Sequence, residues 1–276
     1  IMKRINYLLL TATMLSFAAC SNDEGTNNEN NLVEARITAS ASRAIDNQWE
    51  ADAIAVTVAS SPVSNMKDMY KNVKYTTTST GTTAEFVAEQ NKSIYFQDAD
   101  ETVTFTAYGP YNDPNSEGDI LFSTENQNTA ETRKAVDFIY ASGVRASKSS
   151  PTVNFMFKHI MSRLVLKVTA GNGISASDIT SGQYFLNGME LNGKFNANTG
   201  TAQAITSSAN PNQQQYSLND KVQITPNEAD KRTFTVICFP FDYSNKPLEF
   251  IATVNGQNYT LNLSLNLEGG KNYTYN

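Results

Sequence analysis

Strict alternation of apolar and polar side chains marks the stretch Val33-Glu34-Ala35-Arg36-Ile37-Thr38-Ala39-Ser40-Ala41-Ser42. Every odd-numbered residue in it is apolar, and every even-numbered residue is polar or charged. A period of two is typical of a β-strand that buries one face and exposes the other. The sequence therefore predicts a first strand whose buried face consists of Val33, Ala35, Ile37, Ala39 and Ala41.

The same period recurs along the rest of the chain. The alternating apolar sets are Val103, Phe105 and Ala107; Val153, Phe155 and Phe157; Leu164, Leu166 and Val168; and Tyr259, Leu261, Leu263, Leu265 and Leu267. No segment keeps the 3.6-residue period of an amphipathic helix over three turns. Turn-forming pairs separate the runs: Gly109-Pro110, Asn172-Gly173, Asn187-Gly188, Asn192-Gly193 and Asn255-Gly256. Many short strands joined by such turns indicate an all-β protein of the sandwich class.

Composition narrows the possible functions. The chain has 276 residues, of which 17% are charged, and a formal net charge of -6. A negative balance argues against nucleic acid as a partner, because phosphate binding needs clustered Lys and Arg. One histidine and two cysteines leave few ways to build a metal site or a nucleophile. We therefore expect no enzyme activity, no cofactor and no metal, and a structural role for His159.

The first residues are typical of a targeting signal. Lys3 and Arg4 precede a short apolar run that ends in Ala18-Ala19-Cys20. We interpret residues 1–19 as a secretory signal peptide and residues 20–32 as a flexible tether. The stretch from Phe17 to Cys20 resembles a bacterial lipobox, which implies that Cys20 becomes the acylated first residue. A retained anchor helix, and a Cys20 that keeps a free or disulfide-bonded thiol, are the alternatives.

The stretch Ala170-Gly171-Asn172-Gly173 follows a long two-strand block, and we place a domain boundary there. We expect two β-sandwiches in tandem, over residues 33–170 and 171–276, with one elongated sandwich as the alternative. Near its end the sequence begins an alternating strand at Lys271 and stops at Asn276, and residue 1 is Ile. We therefore expect the sequence to be a fragment, with a C-terminal sandwich that is truncated.

Several short pieces together resemble the fimbrillin family of the Bacteroidota. Besides the lipobox, they are residues 43–54 (RAIDNQWEADAI), 135–141 (AVDFIYA), 153–164 (VNFMFKHIMSRL) and 269–276 (GGKNYTYN). The resemblance covers nearly all of the chain after the signal peptide. Each piece is short, but their order and spacing are specific when taken together. One departure is Ala51-Asp52, where the family usually carries Gly-Asp.

The resemblance implies a fold of two transthyretin-like, Greek-key sandwiches. It also implies a surface lipoprotein of the outer membrane, held by acyl chains such as palmitate on Cys20. Such a protein would be a pilus (fimbria) subunit, or an accessory or tip component that supports adhesion. Its partners would be other fimbrillin subunits, joined by strand donation after a protease cuts behind an arginine. The acidic residues after Cys20 resemble a signal for export to the cell surface.

Two arginines are candidates for that cut. Cleavage after Arg43 would remove the whole first strand, whereas cleavage after Arg36 would leave most of it behind. We therefore favour Arg43, with Arg36 as the alternative and no cleavage as the third possibility.

A different reading makes the chain a monomeric surface lipoprotein that binds a glycan or a host ligand. The rings of Trp49, Tyr108, Tyr111 and Tyr140 would then be candidates for stacking on sugars, although aromatic residues at strand ends more often belong to a core. The loop with Asp113, Glu117 and Asp119 is rich in oxygen ligands, but its spacing does not match a calcium-binding EF-hand loop.

Overall fold

The alternating stretches form strands. The computed structural model describes residues 32–40, 49, 52–63, 66–206, 222–227 and 231–276. The first strands in chain order are β1 (Val33–Glu34), β2 (Arg36–Ser40), β3 (Ala53–Ser60), β4 (Val73–Thr76), β5 (Thr83–Ala88), β6 (Tyr95–Phe96), β7 (Thr102–Gly109), β8 (Asp119–Ser123), β9 (Ile139–Ser147), β10 (Thr152–Met156) and β11 (Lys158–His159).

The remaining strands are β12 (Ser162–Lys167), β13 (Gln183–Asn187), β14 (Asn192–Asn196), β15 (Thr201–Ala204), β16 (Val222–Ile224), β17 (Thr233–Cys238), β18 (Phe241–Asp242), β19 (Leu248–Val254), β20 (Gln257–Leu263), β21 (Asn266–Leu267) and β22 (Asn272–Tyr275). The helices are α1 (Met66–Met69), α2 (Ala130–Val136) and α3 (Ala176–Ser181). The expectation of an all-β fold is therefore confirmed. Across the described ranges, these helices are all too short to cross a bilayer.

The N-terminal strands form one eight-stranded sheet in the order β10-β2-β5-β4-β3-β7-β9-β11. Only Phe157 separates β10 from β11, so the two ends of this order meet in one stretch of chain. Within the sheet, β2 runs parallel to β10 on one side and antiparallel to β5 on the other. The first strand therefore fills a gap between two strands that lie far from it in sequence.

The C-terminal strands form two smaller sheets, β17-β12-β22 and β16-β13-β19-β20. Strand β22 runs parallel to β12, while β20 forms an antiparallel hairpin with β19. In the described part of the chain, β22 and β20 each have a neighbouring strand on one side only. Both sheets thus end in a strand with an open edge.

A three-stranded sheet, β15-β14-β8, connects the two halves of the sequence. Strand β8 precedes the predicted boundary near residue 170 and pairs with β14, which follows it; Ile120 lies opposite Phe195. Strand β14 also contains Asn192-Gly193, so the turn predicted there is wrong. Gly193 is needed for close packing, because a Cβ on it would collide with the ring of Phe239 and the carbonyl of Gln203.

Among the described residues, three buried clusters form the core. One contains only residues between Ala35 and Phe157, and a second only residues between Leu164 and Leu267. The third takes residues from both halves, and the rings of Phe138 and Phe195 stack in it with centroids 4.5 Å apart. The assignment of residues 33–170 and 171–276 to two separate sandwich domains stays a prediction.

The predicted turns and faces mostly agree with the structure. Asn255 and Gly256 have φ of 50° and 76° and join β19 to β20, as the left-handed preference of this pair predicts. The alternating residues of β7 and β10 are buried. The prediction is wrong for Tyr259 and Leu261 of β20, which are 46% and 50% exposed. They lie on an edge strand, and no described residue covers them.

Candidate functional site

The first strand points its odd-numbered side chains inward. Ala35, Ile37 and Ala39 are each at most 2% exposed, and Val33 is half-buried opposite Phe96. The described part of the strand therefore has the alternation that its sequence predicts. Three other predicted site residues, Cys20, Ala41 and Arg43, lie outside the described residues.

Backbone hydrogen bonds hold this strand on both sides. Its residues 36–40 lie opposite residues 152–156 of β10, and residues 37–40 lie opposite residues 83–86 of β5. The N–H of Arg36 donates to the carbonyl of Pro151 over 2.9 Å. We call the gap between β10 and β5 the first-strand slot. An empty slot would expose two unpaired strand edges at once.

Aromatic rings share the buried cluster into which the first strand points. Trp49 is fully buried and makes edge-to-face contacts with Phe86 and Phe157, at centroid distances of 5.1 and 5.7 Å. The backbone N–H of Trp49 also donates to the backbone carbonyl of Gly81 over 2.7 Å. Trp49 therefore anchors the chain to the core directly after the segment that contains Arg43.

Of the two candidate cleavage positions, Arg36 lies within the described residues. The side chain of Arg36 is exposed, but its backbone pairs with Thr152 of β10, and the next residue, Ile37, lies between β10 and β5. A protease must draw the scissile segment out as an extended chain, so cleavage after Arg36 would require this ladder to open. Arg43 lies outside the described residues. The ladder thus protects the Arg36–Ile37 bond.

An apolar depression lies in the C-terminal half, between β20 and β22. It has a volume of about 390 Å³, and its lining includes Leu166, Val168, Ile179, Phe250, Tyr259 and Leu261. We call it the C-terminal groove. Lys167 is the charged residue in its lining. Apolar side chains are exposed in this groove, whereas in the N-terminal half the first strand covers the apolar side chains beneath it.

The four rings considered for sugar binding divide into two groups. Trp49 and Tyr108 are buried, and burial raises the pKa of the Tyr108 hydroxyl. Tyr111 and Tyr140 are half-buried. The hydroxyl of Tyr111 donates to Asp113 over 2.9 Å, and the ammonium group of Lys74 lies 5.3 Å from its ring centre. Two of the four rings are thus core residues and cannot stack on a ligand.

The remaining polar candidates have protein partners. His159 Nδ1 lies 3.1 Å from Asp137 Oδ1. Asp119 accepts hydrogen bonds from Lys194 over 2.8 Å and from Asn196 over 2.7 Å, and these bonds hold the pKa of its carboxyl below the usual value. These two hydrogen bonds link β8 to β14. Among the described residues, no three His, Cys, Asp or Glu side chains come together as a metal site.

Cys238 is a core residue, as its apolar neighbours in the sequence predict. It is fully buried, and burial raises the pKa of its thiol to about 12. A protonated, inaccessible thiol is a poor nucleophile and a poor metal ligand.

Sequence reasoning missed two features of these regions. The sequence suggests Trp49 only as a ring that could stack on sugars. Its position six residues after Arg43 is the signal that could have indicated a residue anchoring the chain to the core after the cleavage site. The C-terminal groove gave no signal, because Tyr259 and Leu261 alternate with polar residues in the same way as buried strand residues do.

Comparison with known proteins gives one family. The model of the fimbrillin-like family matches residues 42–276. The provisionally named fimbrium subunit Fim1C of Bacteroides uniformis is 28% identical over 167 residues, which cover 59% of this chain and 54% of that protein. The chain therefore spans about half the length of this curated relative.

Solved structures show a similar fold. A crystal structure from Bacteroides ovatus has a TM-score of 0.69 at 24% identity and covers 88% of this chain and 92% of its own. One from Bacteroides uniformis has a TM-score of 0.70 at 22% identity and covers 90% and 93%. Both proteins are provisionally described as cell adhesion proteins.

Proposed function

Because this chain belongs to the fimbrillin-like family, we propose that it is a structural subunit of a cell-surface fimbria. It serves in the stalk or as an accessory or tip component, and it supports adhesion. The observation that carries the proposal is the first strand, seated in a slot between β10 and β5 with its small side chains buried. A terminal strand held in this way can be replaced by a strand of another subunit.

Replacement would work by strand addition. An extended peptide that enters an open sheet gains main-chain hydrogen bonds, and its alternate side chains fill pockets. The slot sets the direction of such a strand, because it must run parallel to β10 and antiparallel to β5. The slot also sets the sizes of the inward side chains of such a strand. Ala35, Ile37 and Ala39 fill it with a small, a branched and a small side chain.

Cleavage after Arg43 would release the strand. The buried apolar area of two alanines and one isoleucine is modest, and at roughly 25 cal/mol per Å² it contributes only a few kcal/mol. While the strand is joined to the chain, it rebinds its own slot. Once cut, it becomes a separate peptide that can leave. Trp49 would keep the new N-terminal segment attached to the core.

Arginine-specific proteolysis tests this assignment. The full chain carrying Cys20→Ser should yield one product that begins at Ala44. Arg43→Ala should remove this cut, and the matched variant Arg36→Ala should be cut as before. A product that begins at Ile37 would instead assign the site to Arg36.

Peptide binding tests the slot. A labelled peptide of residues 33–42 (VEARITASAS) should bind the cut protein and not the uncut one. The same peptide with Ile37→Asp should fail to bind, because a carboxylate would lie among apolar side chains. Equal binding of the two peptides, or binding of neither, would contradict strand replacement in this slot.

The second part of the proposal is the anchor. Cys20 would carry acyl chains that hold the subunit in the outer membrane, and more than one chain is needed for stable anchoring. Replacing Cys20 with Ser should move the protein from the membrane fraction to the soluble fraction. If the variant stays in the membrane pellet as firmly as the unaltered chain, another feature anchors the protein.

A further inference from the structure

Strand β17 has the composition of a strand that pairs readily with other chains. Its residues, Thr233-Phe234-Thr235-Val236-Ile237-Cys238, are β-branched, aromatic or small and apolar, and none of them is charged. In the described part of the chain, β12 is its one neighbouring strand, so its other side is a sheet edge. An uncharged, apolar edge strand is a template for pairing with a second molecule. The fold must therefore protect this edge of β17.

The side chain of Gln127, 110 residues earlier in the chain, covers one end of the edge. Its Nε2 donates to the backbone carbonyl of Ile237 over 2.8 Å, and the backbone N–H of Ile237 donates to Gln127 Oε1 over 2.7 Å. A residue of a neighbouring antiparallel strand would exchange the same two hydrogen bonds with Ile237. A glutamine side chain can do so because its amide carries a donor and an acceptor, as a peptide group does. Gln127 thus takes the place of a strand residue.

The other end of the edge is covered by Asn227. Its backbone N–H donates to the carbonyl of Thr233 over 2.7 Å, and its side-chain Nδ2 donates to the hydroxyl of Thr235 over 3.2 Å. Asn227 precedes β17 by a few residues and stays beside it by chain connection. Gln127 is held there only by tertiary contacts. The Ile237 end of the edge is therefore the end whose protection a single side chain decides.

Gln127 is itself fixed in place by buried neighbours. Its Nε2 also donates to the carbonyl of Thr124 over 2.6 Å, and Arg133 Nη1 donates to the backbone carbonyl of Gln127 over 3.0 Å. The N–H of Thr124 donates in turn to the carbonyl of Leu191 over 2.7 Å. Gln127, Thr124 and Arg133 are all buried. The amide is therefore aimed at β17 in a site from which water is largely excluded.

We propose that Gln127 is a built-in block on strand addition: its amide closes the outer edge of β17 against β17 of a second copy of this chain. Without the amide, the N–H and carbonyl of Ile237 lose their partners, and unpaired buried peptide groups are costly. The loop of residues 124–128 also loses its hold on the edge. Strand β17 of a second copy can then supply both hydrogen bonds by antiparallel pairing. The block involves neither the first-strand slot nor a cut after Arg43, so it stands or falls independently of the assembly proposed above.

Two substitutions at one position separate this role from a mere loss of stability. Gln127→Leu keeps the approximate size of the side chain and supplies neither hydrogen bond. Gln127→Glu loses the donor as well, but it places a carboxylate at the edge, where the like charges of two copies would repel each other. Both variants should melt at lower temperature than the unaltered chain. We expect only Gln127→Leu to self-associate.

Sedimentation velocity measures the association. The full chain with Cys20→Ser and Arg43→Ala is the background, so that neither acylation nor cleavage contributes. For Gln127→Leu, the dimer-to-monomer ratio should rise about tenfold for a tenfold rise in free monomer. Leu164→Ala is the control for destabilisation alone, because it leaves a cavity on the central strand β12 without touching the edge. Association of Gln127→Glu or Leu164→Ala to the same degree as Gln127→Leu, or of none of the three, would overturn the proposal.

Hydrogen exchange reports on the edge itself. The Ile237 amide should exchange slowly in the unaltered chain, faster in Gln127→Leu at low concentration, and slowly again where dimers form. If Gln127→Leu does not fold, Arg133→Met replaces it, since this change leaves Gln127 in place and weakens the hold on its backbone. It should show the same pattern to a smaller extent. Slow exchange in a monomeric variant, or fast exchange with no dimer at any concentration, would overturn the proposal, and the experiments on Arg43 would be unaffected.

Discussion

The eight-stranded sheet of the N-terminal half and the sheet β16-β13-β19-β20 of the C-terminal half each contain an alternating strand, but the two strands have different surroundings. In the N-terminal half, β2 lies between β10 and β5, and Ile37 is buried. In the C-terminal half, β20 ends its sheet, and Leu261 is half exposed beside the groove. Alternation shows which side chains share a face. Whether that face is buried depends on what covers it.

The covering strand is also of a particular kind. Its inward side chains in β2 and just before it are Ala35, Ile37 and Ala39, so only one of them is large. The residues beneath it include Trp49 and Phe86. A strand of small residues over an aromatic core can leave without removing most of the apolar contacts below. We therefore expect the rest of this core to keep most of its apolar contacts when the first strand leaves.

The largest expected effect is at the anchor of the closed half. Trp49→Ala should cost about 3–5 kcal/mol of unfolding free energy, because a fully buried ring is replaced by a cavity. Tyr259→Ala, an aromatic truncation at the open edge, should change it by less than about 1 kcal/mol. Urea titrations of both variants measure the difference. Similar losses would mean that the groove residue is as well packed in solution as Trp49.

A somewhat smaller effect is expected within the first strand. Ile37→Ala removes the one large side chain that this strand buries, so it should cost about 2–4 kcal/mol. Thr38→Ala, on the outward face of the same strand, should stay within about 0.5 kcal/mol. Thermal unfolding of the two variants, compared with the unaltered chain, measures both changes. Equal effects would show that the inward face of the strand contributes no more than the outward face.

The link between the halves gives a smaller, pH-dependent effect. Hydrogen bonds from Lys194 and Asn196 lower the pKa of Asp119 in the folded state. A lowered pKa stabilises the fold above the unfolded value of about 4, and this contribution is lost as the pH falls through the folded value. Asp119→Asn should cost about 1 kcal/mol at pH 7, since the ion pair is partly exposed.

The difference between Asp119→Asn and the unaltered chain should shrink as the pH falls below about 4. Melting temperatures between pH 3 and pH 7 measure this dependence. Glu117→Gln in the exposed part of the same loop is the matched control and should show no such change. A constant difference across this range would exclude the Asp119 carboxylate as its source.

The sequence was informative where one local rule decides the structure. The alternation of Ile37 with its neighbours gave the strand and its inward face, and the Asn255-Gly256 pair gave a hairpin turn. It failed at Gly193, where the absence of a side chain serves contact with Phe239 and not a turn. Pairing of β8 with β14 joins residues about 75 positions apart, and no periodic pattern encodes such a choice.

The smallest effect on stability is expected in the C-terminal groove, and there a matched pair of substitutions makes the comparison sharp. Leu261 and Leu263 lie two residues apart on the same strand, but they are 50% and 4% exposed. Leu261→Ser should change the unfolding free energy by about 0.5 kcal/mol or less, because the side chain already meets water. Leu263→Ser should cost several kcal/mol, since it leaves a cavity and buries a hydroxyl.

Binding of an apolar dye measures the exposed surface of the groove directly. Leu261→Ser should reduce dye fluorescence of the folded protein, because it removes apolar surface from the groove lining. Equal stability losses at positions 261 and 263, together with no dye binding, would show that the groove is covered in solution. The two halves would then both be closed, and their difference would lie only in which element closes them. A loss confined to Leu263→Ser instead shows that the Leu261 side chain of β20 is uncovered, unlike the inward side chains of β2.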